Sequence, residues 1–225
     1  MQFEIKYGPA YAIGVASMDA GETLQAVTGA MVSMSDGLTI DTGMKGGLMA
    51  GLRRSVLGGE SFFVNTFSAS QAAEVALAPP LPGDVFVIEL EGTLMLHSGS
   101  LLAATSGVQF DTKWGGAKTF FSGEGLFLLR CTGSGSILAS SYGAIEQRTL
   151  GAGEQYTVDS SHIVGFEEGV KYEVKKSGGW KTTILGGEGL VVRLTGPGRI
   201  YWQTRSSEEF LGWLIPKLPE RSGNN

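Results

Sequence analysis

Three glutamates stand at equal intervals along the chain. Glu60, Glu124 and Glu188 follow one another 64 residues apart, each in a glycine-marked turn that leads into an apolar run. The stretches are Gly58-Gly59-Glu60-Ser61-Phe62-Phe63-Val64, Ser122-Gly123-Glu124-Gly125-Leu126-Phe127-Leu128 and Gly186-Gly187-Glu188-Gly189-Leu190-Val191-Val192. Carboxylates brought onto one axis could share a proton or hold a cation. Regular spacing alone puts one acid in each segment and does not gather them, so the simpler reading is a polar residue that opens a strand after a turn. His97 and His162 form neither His-x-x-x-His nor His-x-His, which leaves no zinc spacing. Cys131, the single cysteine, excludes an intrachain disulfide and any multi-cysteine metal site. It follows Leu128-Leu129-Arg130 in a strand-like run and reads as a small buried residue. The chain has no Gly-x-Ser-x-Gly elbow, no Gly-Lys-Ser/Thr phosphate loop and no Gly-x-Gly-x-x-Gly. No catalytic residue, metal or cofactor is expected, and the chain reads as non-enzymatic.

The binding candidate is instead a basic loop. Lys45, Arg53 and Arg54 flank Leu48, Met49 and Leu52 in a glycine-rich stretch between residues 42 and 57. Cations beside exposed apolar side chains suit a protein partner, a neighbouring subunit or an anionic membrane surface. The glycines argue against a stable amphipathic helix there. Lys45, Leu48, Met49, Arg53 and Arg54 are therefore the expected contact residues.

The elements that position these residues follow from recurring patterns. Gly21-Glu22, Gly83-Asp84 and Gly153-Glu154 each precede a strand-like run. Midway come Gly37-Leu38-Thr39-Ile40-Asp41, Gly107-Val108-Gln109-Phe110-Asp111 and Gly169-Val170-Lys171-Tyr172-Glu173, all glycine, apolar, polar, apolar, acid. That alternation is the mark of a half-buried strand. Thr132-Gly133-Ser134-Gly135-Ser136-Ile137 matches Thr195-Gly196-Pro197-Gly198-Arg199-Ile200, read as tight turns between antiparallel strands. The 35 glycines supply many such turns. The expectation is an all-β single domain over 1–225, with three β-lobes at about 11–75, 76–143 and 144–206. Ala78-Pro79-Pro80-Leu81-Pro82-Gly83 is a stiff connector between lobes. A short helical tail over 206–216 begins at the capping pattern Ser206-Ser207-Glu208-Glu209 and ends at Pro216. Phe210, Trp213 and Leu214 share one face of it and are expected to pack on the β-body.

A net charge of −5 provides no footprint for nucleic acid. The N-terminal Met1-Gln2-Phe3-Glu4-Ile5 lacks a basic region before an apolar run, and no apolar run approaches the roughly 20 residues of a spanning helix. A cytoplasmic location is expected.

Residues from Lys45 into Glu60-Ser61-Phe62-Phe63-Val64-Asn65 resemble the family named for altered inheritance of mitochondria. Val158-Asp159-Ser160-Ser161-His162-Ile163-Val164 and Thr195-Gly196-Pro197-Gly198 with Tyr201-Trp202-Gln203 are similar to its later motifs. The resemblance runs from about residue 3 to 215 and looks like that of a prokaryotic member. It implies a β-sandwich of the double-stranded β-helix type, grouped with the tryptophan-responsive RNA-binding attenuator protein, and homo-oligomers in some members. It carries over no catalytic residue. The resulting expectation is a non-enzymatic scaffold or binding protein acting as a homo-oligomer, a trimer being one candidate state, at or near a membrane surface. The alternative is a cupin-like β-sandwich with a small ligand held between its sheets; nucleic-acid binding ranks below both.

Overall fold

The computed structural model describes residues 1–41, 55–57, 60–62, 64–111, 128–176 and 190–219. The first part of the chain supplies β1 (Gln2–Lys6), β2 (Ile13–Met18), β3 (Thr23–Val27), β4 (Met31–Met34), β5 (Leu38–Asp41), β6 (Ser55–Leu57), β7 (Glu60–Phe62), β8 (Val64–Ala69) and β9 (Ala73–Leu77). The middle supplies β10 (Val85–His97), β11 (Leu101–Thr105), β12 (Val108–Asp111) and β13 (Leu128–Ser140). The last part supplies β14 (Ile145–Leu150), β15 (Gln155–Asp159), β16 (Ile163–Glu167), β17 (Lys171–Lys176), β18 (Leu190–Thr195), β19 (Gly198–Gln203) and then helix α1 (Ser207–Leu214). The molecule is thus all-β with one short C-terminal helix, and every strand ladder described is antiparallel.

One scheme of ladders serves each part. In the first, β2 and β4 flank β9 while β3 and β5 flank β8. In the last, β14 and β16 flank β19 while β15 and β17 flank β18. In the middle, β10 does the work of two strands and β13 of their two partners, with β11 and β12 beside β13. The alternating stretches after Gly37, Gly107 and Gly169 become β5, β12 and β17, which take the same place beside β8, β13 and β18.

Two sequence markers behave differently from expectation. Gly21 and Gly153, at φ +87° and +77°, make true turns in which Glu22 and Glu154 fold back onto the chain: Glu22 accepts a hydrogen bond from the Asp19 N–H (2.8 Å), Glu154 from the Gly151 N–H (2.9 Å). Gly83-Asp84 does not take that place. It opens β10 and sits at the junction of the three parts, where the Ala12 N–H donates to the Gly83 carbonyl and the Asp84 N–H to that of Gly143. A Cβ on Gly83 would fall 1.8 Å from the Ser141 carbonyl oxygen, so the close backbone approach itself requires glycine. Likewise Gly133 and Gly135 form no turn, because β13 runs on through them against β10; only Gly196-Pro197 separates two strands, β18 and β19.

The sheets remain open. One runs in the order β1-β2-β9-β4, a second from β14 through β19, β16, β10, β13, β11, β3 and β8 to β5, and a third β15-β18-β17. The long sheet crosses the parts of the chain twice, where β11 pairs β3 and where β10 pairs β16. Its central core joins Val64, Leu94, Leu101, Leu129, Ile137, Val164 and Tyr201, drawn from all three parts. Two further clusters lie to either side, one around Leu24, Phe67, Leu77 and Leu138, the other around Leu150, Phe166, Leu194 and Ile200.

Helix α1 begins as the sequence predicts: the Ser206 hydroxyl accepts from the Glu209 N–H at 3.2 Å. Phe210 packs edge-on against Tyr142 at 6.1 Å. Trp213, expected on the same buried face, is 59% exposed, and Lys217 lies over its ring at 4.8 Å. Eight residues make little more than two turns, and the β-body reaches only the Phe210 and Leu214 side of them.

Candidate functional site

The basic-loop residues Lys45, Leu48, Met49, Arg53 and Arg54 lie outside the described residues, as do Glu124 and Glu188. Glu60 opens β7, its backbone opposite Leu57. Among the described residues no group of three or more His, Cys, Asp or Glu is arranged to hold a metal.

A polar seam lies where the middle part, the last part and the helix come together, with His97 in the lining of its cavity and His162 bonded to its Gln203. A small cavity of about 90 Å³ there is lined by His97, Ser100, Ser140, Ser141, Tyr142 and Gln203, among others. Gln203 at the end of β19 is buried and ties the seam together. Its Oε1 accepts from the Tyr142 N–H (2.8 Å), and its Nε2 donates to the Ser161 carbonyl (3.3 Å). Its own carbonyl lies 2.7 Å from His162 Nδ1, which therefore carries the proton, while His162 Nε2 is 3.7 Å from Glu209 of the helix. The Ser141 hydroxyl donates to the Gly143 carbonyl at 2.9 Å. These bonds join the end of β13, β19 and the turn before β16, and α1 lies beside them at Glu209. Asp159 caps that turn by accepting from the Ser161 N–H and hydroxyl, at 2.9 and 2.6 Å. Sequence alone could not see this seam, because the partners of Gln203 lie more than 40 residues away and it has no motif around it.

Cys131 is fully buried, and burial pushes its thiol up to about 12, so at neutral pH it is a protonated packing residue as expected. Arg130 is turned the other way, toward Thr93 and Glu168.

Two larger recesses lie on the surface. One of about 630 Å³ is lined by Met1, Gln2, Asp19, Ser35 and Glu74 among others and is predominantly polar. The other, of about 460 Å³, opens where β10 and β14 diverge from the Gly83–Gly143 junction. Phe86, Ile88, Ile145 and Tyr201 form its apolar floor, with Glu89 and Arg199 at the rim. Phe86 and Tyr201 stack at 6.0 Å, and burial pushes the Tyr201 phenol above its ordinary range.

Beyond the recesses, Tyr7 and Tyr11 are exposed before β2, Ile5 and Ile40 lie in the open on β1 and β5, and two runs of exposed apolar side chains stand out among the described residues. Met31, Val32 and Met34 are exposed along β4, and Leu211, Trp213, Ile215 and Leu218 along and after the helix. Neither was singled out from sequence as a contact surface, since a short apolar run reads as core until its neighbours are known. No helix of the described residues is long and apolar enough to cross a membrane.

The chain is 30% identical over 231 residues to the uncharacterized protein M6_Spy0233 of Streptococcus pyogenes serotype M6, an alignment covering 99% of this chain and 93% of the relative. It resembles the crystal structure of protein SPYM3_0169 from Streptococcus pyogenes with a TM-score of 0.78 at 29% identity, covering 96% of this chain and 99% of that one. The model of the mitochondrial biogenesis AIM24 family matches residues 3–205. Matched over nearly its whole described body, the chain belongs to the AIM24 family.

Proposed function

We propose that the protein is a non-enzymatic scaffold or binding protein that works as a homo-oligomer in the cytoplasm. The observation that carries this reading is where apolar surface is left open. Met31, Val32 and Met34 line a sheet edge, and Leu211, Trp213 and Ile215 line the helix and its end, so two runs of exposed apolar side chains lie at places suited to association. His162, by contrast, sits in a seam whose hydrogen bonds hold elements together. The family's description concerns the building of a compartment, which suits a scaffold.

The basic loop would bring the assembly to an anionic surface through Lys45, Arg53 and Arg54, with Leu48 and Met49 inserted beside them. Flotation with vesicles containing about a third phosphatidylserine tests it. The parent floats and Arg53→Glu/Arg54→Glu stays in the lower fraction; equal behaviour of the two removes the membrane from the proposal.

A second reading, a small-ligand-binding protein, is favoured by the recess floored with Phe86, Ile88 and Tyr201. Its aromatic floor and the Arg199–Glu89 rim would take a flat, partly polar molecule. Native mass spectrometry of freshly purified protein decides it: an added mass that Tyr201→Ala abolishes supports this reading, and a clean apo mass leaves the scaffold alone.

A further inference from the structure

The chain joins its parts with one kind of seam, used twice. At the first seam β3 pairs with β11 in the register Leu24↔Thr105, Gln25↔Ala104 and Ala26↔Ala103. At the second, β10 pairs with β16 in the register Leu94↔Glu167, Met95↔Phe166 and Leu96↔Gly165. The receiving strands are built alike. Against its own sheet β11 shows a register break between Leu101 and Ala103, and β16 shows one between Ile163 and Gly165. β4 has the same break against β9, between Met31 and Ser33. The donating strands also correspond: β3 pairs Leu24 with Phe67, β10 pairs Leu94 with Cys131, and β15 pairs Tyr156 with Leu194.

One receiver and one donor are thus left over. β4 ends its sheet, and β15 ends its own, with no ladder on the outer side of either among the described residues. Exposure shows what the seam normally covers. At the two filled seams Leu101 and Ile163 are 4% and 1% exposed, Leu102 and Val164 3% and 0%, Ala104 and Phe166 0% and 2%. The matching residues of β4, Met31, Val32 and Met34, are 41%, 58% and 44% exposed. The chain's own β15 does not cover them.

We infer that the outer edge of β4 receives β15 of a second copy of this chain, in the register Ser33↔Val158, Met34↔Thr157 and Ser35↔Tyr156. The occupant is argued from the molecule itself: the same chain carries the complementary edge, and both seams it already makes fix the direction and the register. The contact is head-to-tail, so it builds a ring where the rotation closes and a filament where it does not. Main-chain hydrogen bonds supply the pairing, and burial of the three β4 side chains supplies the apolar contribution. This inference rests on the homo-oligomer reading above and names its surface.

Single-cysteine variants test it, since Cys131 is buried and inert. Met34 and Thr157 are both exposed and face each other in the inferred register. Under mild oxidation a one-to-one mixture of Met34→Cys and Thr157→Cys is expected to form disulfide dimers at least tenfold faster than either variant alone. Val32→Lys/Met34→Lys is expected to shift the parent multimer to a monomer by light scattering with an unchanged far-ultraviolet dichroism spectrum. A multimer in which the mixture cross-links no faster than the single variants overturns this seam while leaving the oligomer reading standing. A double variant, Met34→Cys/Thr157→Cys, that closes only within one chain overturns it as well. A parent that is monomeric at every concentration overturns both.

Discussion

Glu154 shows how much of the surface charge is spent on backbone geometry. The Gly151 N–H it accepts and the Arg148 guanidinium at 2.8 Å hold its carboxyl below the ordinary carboxylate range. Glu22 is held down in the same direction by the Met1 ammonium and the Asp19 N–H. A carboxyl with a depressed native pKa binds fewer protons folded than unfolded. Its contribution is present above the unfolded value of about 4.3 and is lost as pH falls through the native value. Glu154→Gln is therefore expected to lower the urea midpoint at pH 7 slightly and to reduce the further fall between pH 5 and pH 3. Urea titrations of both proteins at the two ends check this; parallel falls would show that the turn bond carries no charge-dependent share. At this scale the sequence was legible in part. A glycine followed by an acid before a strand marks the turns at Gly21 and Gly153, whereas Gly83-Asp84 has the same letters and a different duty, set by backbone contacts with Ser141 and Gly143 that no local pattern encodes.

Among the elements, β16 leaves no room for a side chain at Gly165, in its seam with β10. A Cβ on Gly165 would meet the Met95 carbonyl oxygen at 2.7 Å, inside the seam between β10 and β16. The paired β10 backbone cannot give way, so Gly165→Ala is expected to cost about 1–3 kcal/mol. Gly212, in the exposed helix with nothing within 4 Å of an added Cβ, gives the opposite case. There alanine is expected to gain roughly 0.5–1 kcal/mol. Thermal melts of the two variants against the parent test both signs together. The strands themselves were readable. Alternation located β5, β12 and β17, and the capping pattern located α1 to its first residue. What local pattern could not show is that β10 and β13 each continue for 13 residues, since the decision to turn or to run on depends on the partner strand. Nor could it show which flank of α1 meets the body: a helix face is legible in periodicity, but its neighbour is not, and Trp213 is left in solvent.

For the whole molecule, the central core matters most. Leu129 is fully buried in a cluster that draws on all three parts, so removing it withdraws support from each at once. Leu129→Ala is expected to cost about 2–5 kcal/mol and to move a single calorimetric transition downward as one peak. Two resolved peaks, only one of them shifted, would show that the parts melt separately. The all-β class and the family resemblance were legible from the sequence, because glycine spacing and alternation are written locally. The open edges were not, because an edge is defined by the strand that fails to arrive.

The paired glycines at the middle of the longest ladder set a limit on how the molecule can be embellished. Gly92 lies opposite Gly133, both at φ near +110°, where the first and last parts instead reverse direction around Gly21 and Gly153. Those two tips point outward and end in exposed residues, so they are natural places to graft a peptide, a tag or a whole inserted module. At the equivalent point of the middle part there is no such tip: extra sequence spliced between Glu91 and Thr93 would have to be threaded through a continuous run of main-chain bonds. At this turn, decoration is therefore open to the first and last parts and closed to the middle one.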